Sequence, residues 1–188
     1  PLSQDIQPMY YRRKVALFLF FASVIVSACT GQPGGTSVVS GFELDRYLGT
    51  WYEIARLDHR FERGLTDVTA DYTLRDDGGV RVVNRGLSTK TDEWDEAIGK
   101  AYLIDSPEVG RLKVSFFGPF YGGYNILELD IENYQYALVA GPDRSYLWIL
   151  ARSPGLSETV VQSLVEKARR LDFPVDELIY VSHDMAKD

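Results

Sequence analysis

The chain has 188 residues, of which 45% are hydrophobic, and this is enough for one domain with a substantial core. Its formal net charge of −7 at pH 7 argues against nucleic-acid binding, which requires a basic face. Aromatic residues make up 13% of the chain and favour strands over helices. The single cysteine, Cys29, excludes an intramolecular disulfide and any metal site built from several cysteines.

The N-terminal region has the features of a secretory signal peptide. Residues 1–8 precede Met9 and are interpreted as an upstream extension. A charged stretch at 10–14 is followed by an apolar stretch at 15–26, and small residues then lead to Cys29. The apolar stretch is too short to cross a bilayer core of about 30 Å as a helix, so a signal peptide over residues 9–28 is favoured over a permanent anchor helix.

The sequence around Cys29 resembles the lipobox of bacterial lipoproteins, since residues 26–29 read VSAC. The resemblance implies that the chain is cleaved before Cys29 and that this cysteine is acylated. It also implies a protein that is lipid-anchored at the outer membrane, because Thr30 replaces the Asp that favours inner-membrane retention. The periplasmic face of that membrane is the expected one. Chance placement of a buried cysteine is the alternative. Residues 29–41 are rich in Gly, Ser, Thr and Pro and predict a flexible tether.

Short apolar runs separated by turn residues predict eight strands in the middle of the chain. The predicted strands span residues 51–57, 68–74, 80–84, 96–104, 112–117, 124–130, 134–139 and 146–151. The sequence DDGG at 76–79 is typical of a tight hairpin between the second and third strands. Because no long helical crossover interrupts the strands, the pattern indicates an all-β fold, an eight-stranded antiparallel up-and-down barrel.

One amphipathic helix is predicted after the strands. Ser157 is a suitable N-cap, and apolar residues recur at helical spacing from Val160 to Leu171, which predicts about four turns packed outside the barrel. Residues 178–181 predict a short final strand. The domain is therefore expected to span residues 42–184, with a tail at 185–188.

Several motifs in the barrel region resemble those of the lipocalin family. Gly49 and Trp51 match the Gly-x-Trp motif that opens the first strand, and Arg152 matches the arginine that ends the last one. Residues 133–144 resemble a third family motif, and residues 76–86, 96–101 and 118–124 are similar to the bacterial outer-membrane lipocalins. We expect Trp51 to plug the closed end of the barrel, with the Arg152 guanidinium on its indole face.

The lipocalin resemblance implies a container rather than a catalyst. It implies a cargo of fatty acid or lysophospholipid, and a role in lipid storage or transport that maintains the envelope under stress. It is also compatible with a homodimer. The segment at 116–121 is apolar, and three interpretations remain open: a lip of the barrel mouth, a membrane-contact patch or a dimer surface.

The alternation of side chains along each strand predicts which residues face the cavity. The predicted inward set is mainly apolar, with a few polar groups that can orient the head group of an acyl ligand. Its predicted ligand-binding members are Ala70, Tyr72, Val82, Asn84, Ala97, Val114, Phe116, Tyr124, Ile126, Tyr136, Leu138, Trp148 and Leu150. For each tyrosine, a core residue with a locally satisfied hydroxyl is an equally open interpretation.

Three other functions compete with lipid binding: catalysis, haem or bilin binding, and a purely structural role. No cysteine lies within the barrel and no Gly-x-Ser-x-Gly motif is present, so no catalytic residue is predicted and the protein is not expected to be an enzyme. A haem or bilin binder would need an inward histidine, for which His59 is the barrel-edge candidate. The third competing function is that of a structural envelope protein with a packed interior. No cofactor, metal ion or nucleic acid is predicted.

Overall fold

The computed structural model describes residues 30–185, so the predicted signal peptide, Cys29 and residues 186–188 lie outside the described residues. Eight long strands follow one another along the chain: β1 (Gly49–Arg56), β2 (Leu65–Leu74), β3 (Val80–Ser88), β4 (Trp94–Leu103), β5 (Arg111–Phe117), β6 (Phe120–Leu129), β7 (Tyr136–Ala140) and β8 (Leu147–Ala151). A short helix α1 (Leu44–Tyr47) precedes them. Helix α2 (Glu158–Arg170), a 3₁₀ turn (Val175–Glu177) and the short strand β9 (Ile179–Tyr180) follow.

The eight strands form a closed antiparallel barrel. Each strand pairs with its neighbour in sequence, and β1 closes the barrel because it pairs with both β2 and β8. Strand β9 pairs with the end of β1 outside the closed circuit. The predicted all-β fold and up-and-down barrel are therefore confirmed, and the strand bounds differ from the predicted ones by a few residues. Strand β3, for example, continues to Ser88 because its last residues pair with the start of β4.

The predicted hairpin at residues 76–79 joins β2 to β3. The amide of Arg75 donates to the carbonyl of Gly79 at 2.8 Å, and the amide of Gly78 donates to the carbonyl of Arg75 at 3.0 Å. Gly78 has a φ of 77°, a backbone conformation that glycine adopts without a steric cost. The turn chemistry in the sequence thus sets the register of the first hairpin.

Helix α2 packs on the outside of the barrel, as predicted. The hydroxyl of Ser157 caps its first turn by accepting a hydrogen bond from the amide of Val160. Its buried residues, Leu164 and Ala168, contact an outer apolar cluster that includes Leu147 and Ile149 of β8. The outer face of β8 is therefore apolar because the helix covers it, which confirms the predicted register of this strand.

The two ends of the barrel differ in how they are covered. We call the end where the β1–β2, β3–β4, β5–β6 and β7–β8 loops lie the open end, and the opposite end the closed end. Helix α1 lies at the closed end, where Phe42, Tyr47 and Trp51 are buried. The sequence did not predict α1, because a four-residue helix shows no periodicity.

Residues 30–41 were predicted to be a flexible tether, but they are attached to the barrel. The amide of Val39 donates to the carbonyl of Ile126, and the amide of Gly110 donates to the carbonyl of Val39. Farther toward the N-terminus, the Asn125 side chain donates to the carbonyl of Gly31. The prediction of a free tether is therefore corrected. Glycine-rich and proline-rich composition indicates an irregular backbone, and hydrogen bonds to the barrel wall hold this irregular backbone in place.

Candidate ligand-binding cavity

A cavity occupies the inside of the barrel between the closed end and the open end. The space available to the centre of a water molecule is about 100 Å³, which exceeds several-fold the roughly 10–15 Å³ that one water needs on this measure. The interior is therefore not a filled core. The wall consists of Leu44, Tyr47, Glu53, Glu62, Val68, Thr69, Ala70, Tyr72, Val80, Val82, Asn84, Ala101, Leu112, Val114, Phe116, Tyr124, Val139, Trp148 and Leu150.

Most of the residues that the sequence placed in the cavity lie on this wall. They come from β2, β3, β5, β6 and β8, the strands in which polar outward residues or the helix contact distinguish the two faces. These residues are Ala70, Tyr72, Val82, Asn84, Val114, Phe116, Tyr124, Trp148 and Leu150. Their contact with a ligand remains a prediction.

Two further predicted residues lie on the inner face but away from the cavity wall. Ala97 pairs with the inward-facing Asn84, yet it is exposed because it lies near the open end of β4. Ile126 is fully buried in the inner core, where it packs with residues such as Phe42 and Leu129. Their strand faces were predicted correctly, but neither residue contributes to the wall.

The predicted register of β7 was wrong. Leu138 pairs with Ile149 and Tyr136 pairs with Ala151, and all four belong to the outer cluster under helix α2. Val139 faces the cavity instead. Strand β7 is apolar on both faces, so alternation of polarity could not distinguish them.

Three tyrosine side chains meet in the cavity wall. The hydroxyl of Tyr124 lies 2.7 Å from that of Tyr47 and 3.1 Å from that of Tyr72. The Tyr47 ring also packs on Trp51, with ring centroids 4.7 Å apart, so the three hydroxyls lie toward the closed end. Two hydrogen bonds join three hydroxyl groups, so one hydroxyl proton has no acceptor within this tyrosine triad.

Burial is the largest cause that raises the pKa of each tyrosine in the triad, whereas the hydrogen bond with Tyr124 acts to lower the pKa of Tyr47 and of Tyr72. The pKa of Tyr72 is raised to about 12 from 10.0. The folded protein therefore holds this proton between pH 10 and 12 when the unfolded chain has lost it, and the free energy of unfolding should fall as pH rises through that window. The two-unit shift corresponds to about 3 kcal/mol.

Denaturant unfolding at about pH 8 and about pH 11 checks this expectation. The substitution Tyr72→Phe should reduce the loss of stability between the two pH values, because it removes one group whose pKa is raised. Tyr180→Phe is the matched control, since Tyr180 is 60% exposed. An equal alkaline loss in Tyr72→Phe and in the unsubstituted protein would contradict the assignment.

A buried charge cluster of Glu53, Arg56, His59 and Glu62 lies next to the cavity near the open end, and Glu53 and Glu62 form part of its wall. Arg56 is only 1% exposed and donates to Glu53 Oε1 at 2.6 Å and to the carbonyl of Glu62 at 2.7 Å. Glu62 Oε2 lies 2.9 Å from His59 Nε2 and accepts from the indole of Trp148 at 3.0 Å. The cluster thus ties the β1–β2 loop to β1 and β8.

The two carboxyl groups of the cluster are in different electrostatic surroundings. Burial, and then the charge of Glu62, raises the pKa of Glu53 well above its ordinary value. Burial also acts to raise the pKa of Glu62, but the contact with His59 and the hydrogen bond from Trp148 outweigh it and lower this pKa. The wall therefore carries an ionised carboxylate at Glu62 beside a carboxyl that resists ionisation at Glu53.

Sequence reasoning missed the cluster because charged residues on a strand or loop were assigned to the solvent. The residue that could have revealed the cluster from the sequence is Glu53. It lies two residues after Trp51 on the same strand, so alternation places it on the same inward face.

The closed end contains the motif residues that the sequence singled out. The guanidinium carbon of Arg152 lies 4.1 Å from the centroid of the Trp51 ring, and Trp51 is fully buried. Arg152 also donates to the carbonyls of Thr50 and Arg46. At Gly49 a Cβ atom would lie 3.3 Å from Arg152 Nη1, and its φ of 91° also favours glycine. The predicted stacking of Arg152 on Trp51 is confirmed.

Comparison of the chain with models of known protein families agrees with the barrel and with the arrangement at its closed end. Residues 42–183 match the model of the lipocalin-like domain. The chain belongs to the lipocalin family. Relatives of this lipocalin include the outer membrane lipoprotein Blc of Vibrio cholerae, 52% identical over 88% of the chain and 97% of the relative. The outer membrane lipoprotein Blc of Escherichia coli K12 is 54% identical over 85% of the chain and 91% of the relative.

Two further proteins match at lower identity. Temperature-induced lipocalin-1 of Arabidopsis thaliana is 38% identical over 75% of the chain and 79% of the relative. Insecticyanin from the tobacco hornworm superposes with a TM-score of 0.66 at 22% identity, and the match covers 83% of this lipocalin and 89% of insecticyanin. The similarity to the bacterial relatives confirms the predicted recognition as an outer-membrane lipoprotein lipocalin and the outer-membrane location.

Within residues 30–185 no group of three or more His, Cys, Asp or Glu side chains could hold a metal ion. Over the same range, no helix has both the length and the apolar character needed to cross a membrane.

Proposed function

We propose that this lipocalin binds the acyl chain of a fatty acid or lysophospholipid in its cavity and stores or carries it to maintain the envelope under stress. The observation that carries the proposal is an unfilled interior whose wall is mainly aliphatic and aromatic. Burying apolar surface stabilises a bound acyl chain by roughly 0.8 kcal/mol per methylene. We also propose that an acylated Cys29 anchors the chain.

Polar atoms in the wall support a ligand that has both an acyl chain and a polar group. Asn84 Oδ1 is buried and accepts no hydrogen bond from any of residues 30–185. The tyrosine triad holds one hydroxyl proton without an acceptor inside the triad. Buried polar groups are normally paired, so this acceptor and this donor are suited to a hydroxyl, ester or carboxyl group of the ligand.

Binding is favoured over the competing functions by specific contacts. His59 contacts Glu62 and is absent from the cavity wall, which argues against its use as an inward haem ligand. Among residues 30–185, the wall of the cavity holds no cysteine, serine or histidine, so no Ser–His or Cys–His pair of the kind used in covalent catalysis lines it. We therefore propose a binding protein that acts without catalysis.

Filling the cavity should weaken ligand binding while leaving the fold intact. Ala101 lies on the wall and is surrounded by apolar side chains, so Ala101→Phe should occupy space that the acyl chain needs. We expect the affinity for a fluorescent fatty acid and for a fluorescent lysophospholipid to fall at least about tenfold, equivalent to roughly 1.4 kcal/mol. Fluorescence titration of the purified protein measures both affinities.

The matched control for this substitution is Ile98→Phe on the same strand. Ile98 is 53% exposed and lies on the opposite face of β4 from Ala101, so its replacement should leave both affinities unchanged. Thermal unfolding of the two variants checks that each is folded. If folded Ala101→Phe binds both probes as tightly as the unsubstituted protein, the cavity is not the ligand site.

A further inference from the structure

The polar groups in the wall of the cavity lie toward opposite ends of the barrel. Glu62 belongs to the β1–β2 loop at the open end and accepts a hydrogen bond from the indole of Trp148. The tyrosine triad lies toward the closed end, because the Tyr47 ring packs on Trp51 and Tyr72 lies two residues before the end of β2. The rest of the wall is mainly aliphatic, with Val82, Val114, Val139 and Leu150 among its residues. An acyl chain that enters at the open end therefore reaches the triad with the half that is remote from its head group.

The triad is open to the cavity and is held in place before a ligand binds. Tyr124, the member that both hydrogen bonds share, is only partly buried and lies on the cavity wall. Tyr47 and Tyr72 are buried, and their rings are stacked with centroids 5.7 Å apart. The Tyr72 and Tyr124 rings meet edge to face with centroids 6.3 Å apart. A donor fixed in this way loses little conformational entropy when a ligand atom accepts its hydrogen bond.

The triad can donate a hydrogen bond but disfavours a negative charge. One hydroxyl proton has no acceptor within the triad, so a ligand oxygen can accept it. Burial is the largest cause that raises the pKa of all three tyrosines, and the charge of Glu62 adds to it at Tyr72. Surroundings that keep a phenol uncharged also oppose an ionised carboxylate. The triad is therefore suited to a neutral oxygen atom of the ligand rather than to the carboxylate of a fatty acid.

We propose that the tyrosine triad binds a hydroxyl or keto oxygen in the remote half of the acyl chain, so that the cavity selects oxygenated acyl chains over plain ones. This inference rests on the proposed binding of an acyl chain in the cavity. The head group of the ligand then stays at the open end, where water solvates it. The ligand oxygen accepts the spare proton of the triad, and a ligand hydroxyl also donates to a tyrosine oxygen that has a free lone pair.

The free energy of hydrogen bonding predicts the sign of this preference. A hydroxyl group that enters an aliphatic cavity loses its hydrogen bonds to water, so a purely apolar wall would bind a hydroxylated chain more weakly than a plain one. A plain chain instead covers the triad with methylene groups and leaves a buried donor unpaired. A preference for the hydroxylated chain therefore requires a partner in the wall, and the triad supplies one.

Two fatty acids that differ in one hydroxyl group test the preference. Ricinoleic acid has the chain and the double bond of oleic acid and carries an added hydroxyl group in the half remote from the carboxyl group. Displacement of a fluorescent fatty acid measures both affinities. We expect the unsubstituted protein to bind ricinoleic acid about tenfold more tightly than oleic acid, the effect of one buried hydrogen bond of about 1.4 kcal/mol. α-Hydroxyoleic acid, which carries its hydroxyl group beside the carboxyl group, should bind no more tightly than oleic acid.

Removing all three tyrosine hydroxyl groups should reverse the order of the two affinities. The variant combines Tyr47→Phe, Tyr72→Phe and Tyr124→Phe, because any hydrogen-bonded pair left in place would still have a spare proton. It keeps the three rings, and replacing every partner of a hydrogen bond by an apolar group of similar shape costs little stability. We expect ricinoleic acid to bind this variant about tenfold more weakly than oleic acid.

The matched control for the triple variant is Tyr180→Phe. Tyr180 is 60% exposed, so its replacement should leave the ratio of the two affinities unchanged. Circular dichroism and thermal unfolding verify that each variant is folded. Because the ratio is the readout, a loss of binding that both fatty acids share does not affect the result.

Three results would overturn the proposal. Equal affinities of the unsubstituted protein for oleic and ricinoleic acid would assign the triad to core packing, and this comparison does not depend on any variant. A preference for ricinoleic acid that persists in the folded triple variant would assign the oxygen to another group of the wall. Tighter binding of α-hydroxyoleic acid than of ricinoleic acid would place the head group at the triad. Failure of the protein to bind either oleic or ricinoleic acid would instead contradict the proposed function, so the two failures are distinguishable.

Discussion

Replacing Arg56 with methionine should destabilise the protein by about 3–5 kcal/mol, the usual cost of breaking a buried ion pair by removing one partner. Arg56 is 1% exposed, and its guanidinium donates hydrogen bonds to Glu53 and to the carbonyls of Glu62 and Leu65. Without it, the Glu53 carboxyl group and two carbonyl oxygens are left buried without their donor. Urea unfolding at pH 7 measures the loss.

The pH dependence of this loss distinguishes an uncompensated charge from a packing defect. Burial and the charge of Glu62 raise the pKa of Glu53, whereas Arg56 acts to lower it, so removing Arg56 raises this pKa further and the carboxyl takes up a proton at a higher pH than in the unsubstituted protein. The folded variant then gains stability relative to the unsubstituted protein as pH falls toward the ordinary glutamate range. A loss that is constant with pH would contradict the charge explanation.

Arg85→Met is the matched control for Arg56→Met. The Arg85 side chain is 52% exposed, and its nitrogen is 3.8 Å from Glu96, an arrangement typical of surface pairs that contribute at most about 1 kcal/mol. The same change of side chain should therefore have a small effect there. If both variants lose the same stability, the cluster at the open end is not the structural element described above.

Replacing Trp51 with alanine should cost about 3–5 kcal/mol, the range for removal of a buried aromatic side chain. Trp51 is fully buried, packs on Tyr47 and donates from its indole nitrogen to the Tyr47 carbonyl at 2.8 Å. The substitution also removes the ring on which Arg152 lies. Thermal and denaturant unfolding measure the loss.

Two further variants separate the contributions of ring packing, the indole hydrogen bond and burial to stability at the closed end. Trp51→Phe keeps most of the packing but leaves the Tyr47 carbonyl without its donor, so an intermediate loss of about 1–3 kcal/mol is expected. Trp94→Ala is the matched control, because Trp94 is 45% exposed on the outer surface. An equal loss in Trp94→Ala and Trp51→Ala would show that burial at the closed end does not set the stability.

The strand faces show how far alternation of polarity can predict a cavity. Strands β3 and β5 alternate apolar with charged or polar residues, so Val82 and Val114 were placed on the wall from the sequence. Strand β7 is apolar on both faces, and Leu138 was misplaced because helix α2 covers the outer side of that strand. Helix α2 follows the strands in the chain and packs on the outer face of β7, so that face also needs apolar residues. Alternation of polarity within β7 gives no information about this contact with a later element.

The buried charges and the N-terminal segment show a second limit. Glu53 and Glu62 are buried because Arg56, His59 and Trp148 supply partners from other parts of the chain. Residues 30–41 are held because barrel side chains and backbone amides meet their carbonyl oxygens. Such pairings between distant residues leave no local pattern in composition or periodicity.

The sequence by itself therefore determined the features that depend on local chemistry. These are the lipobox-like VSAC at Cys29, the hairpin turn at residues 76–79, the amphipathic helix and the motif residues Gly49, Trp51 and Arg152. Only the tertiary structure decided which side of β7 lines the cavity, that carboxyl groups lie in its wall, and that the N-terminal segment is held against β5 and β6. The physical reason is that turns, caps and periodicity arise from neighbouring residues, whereas burial of a charge and attachment of a segment require partners that only the closed barrel brings together.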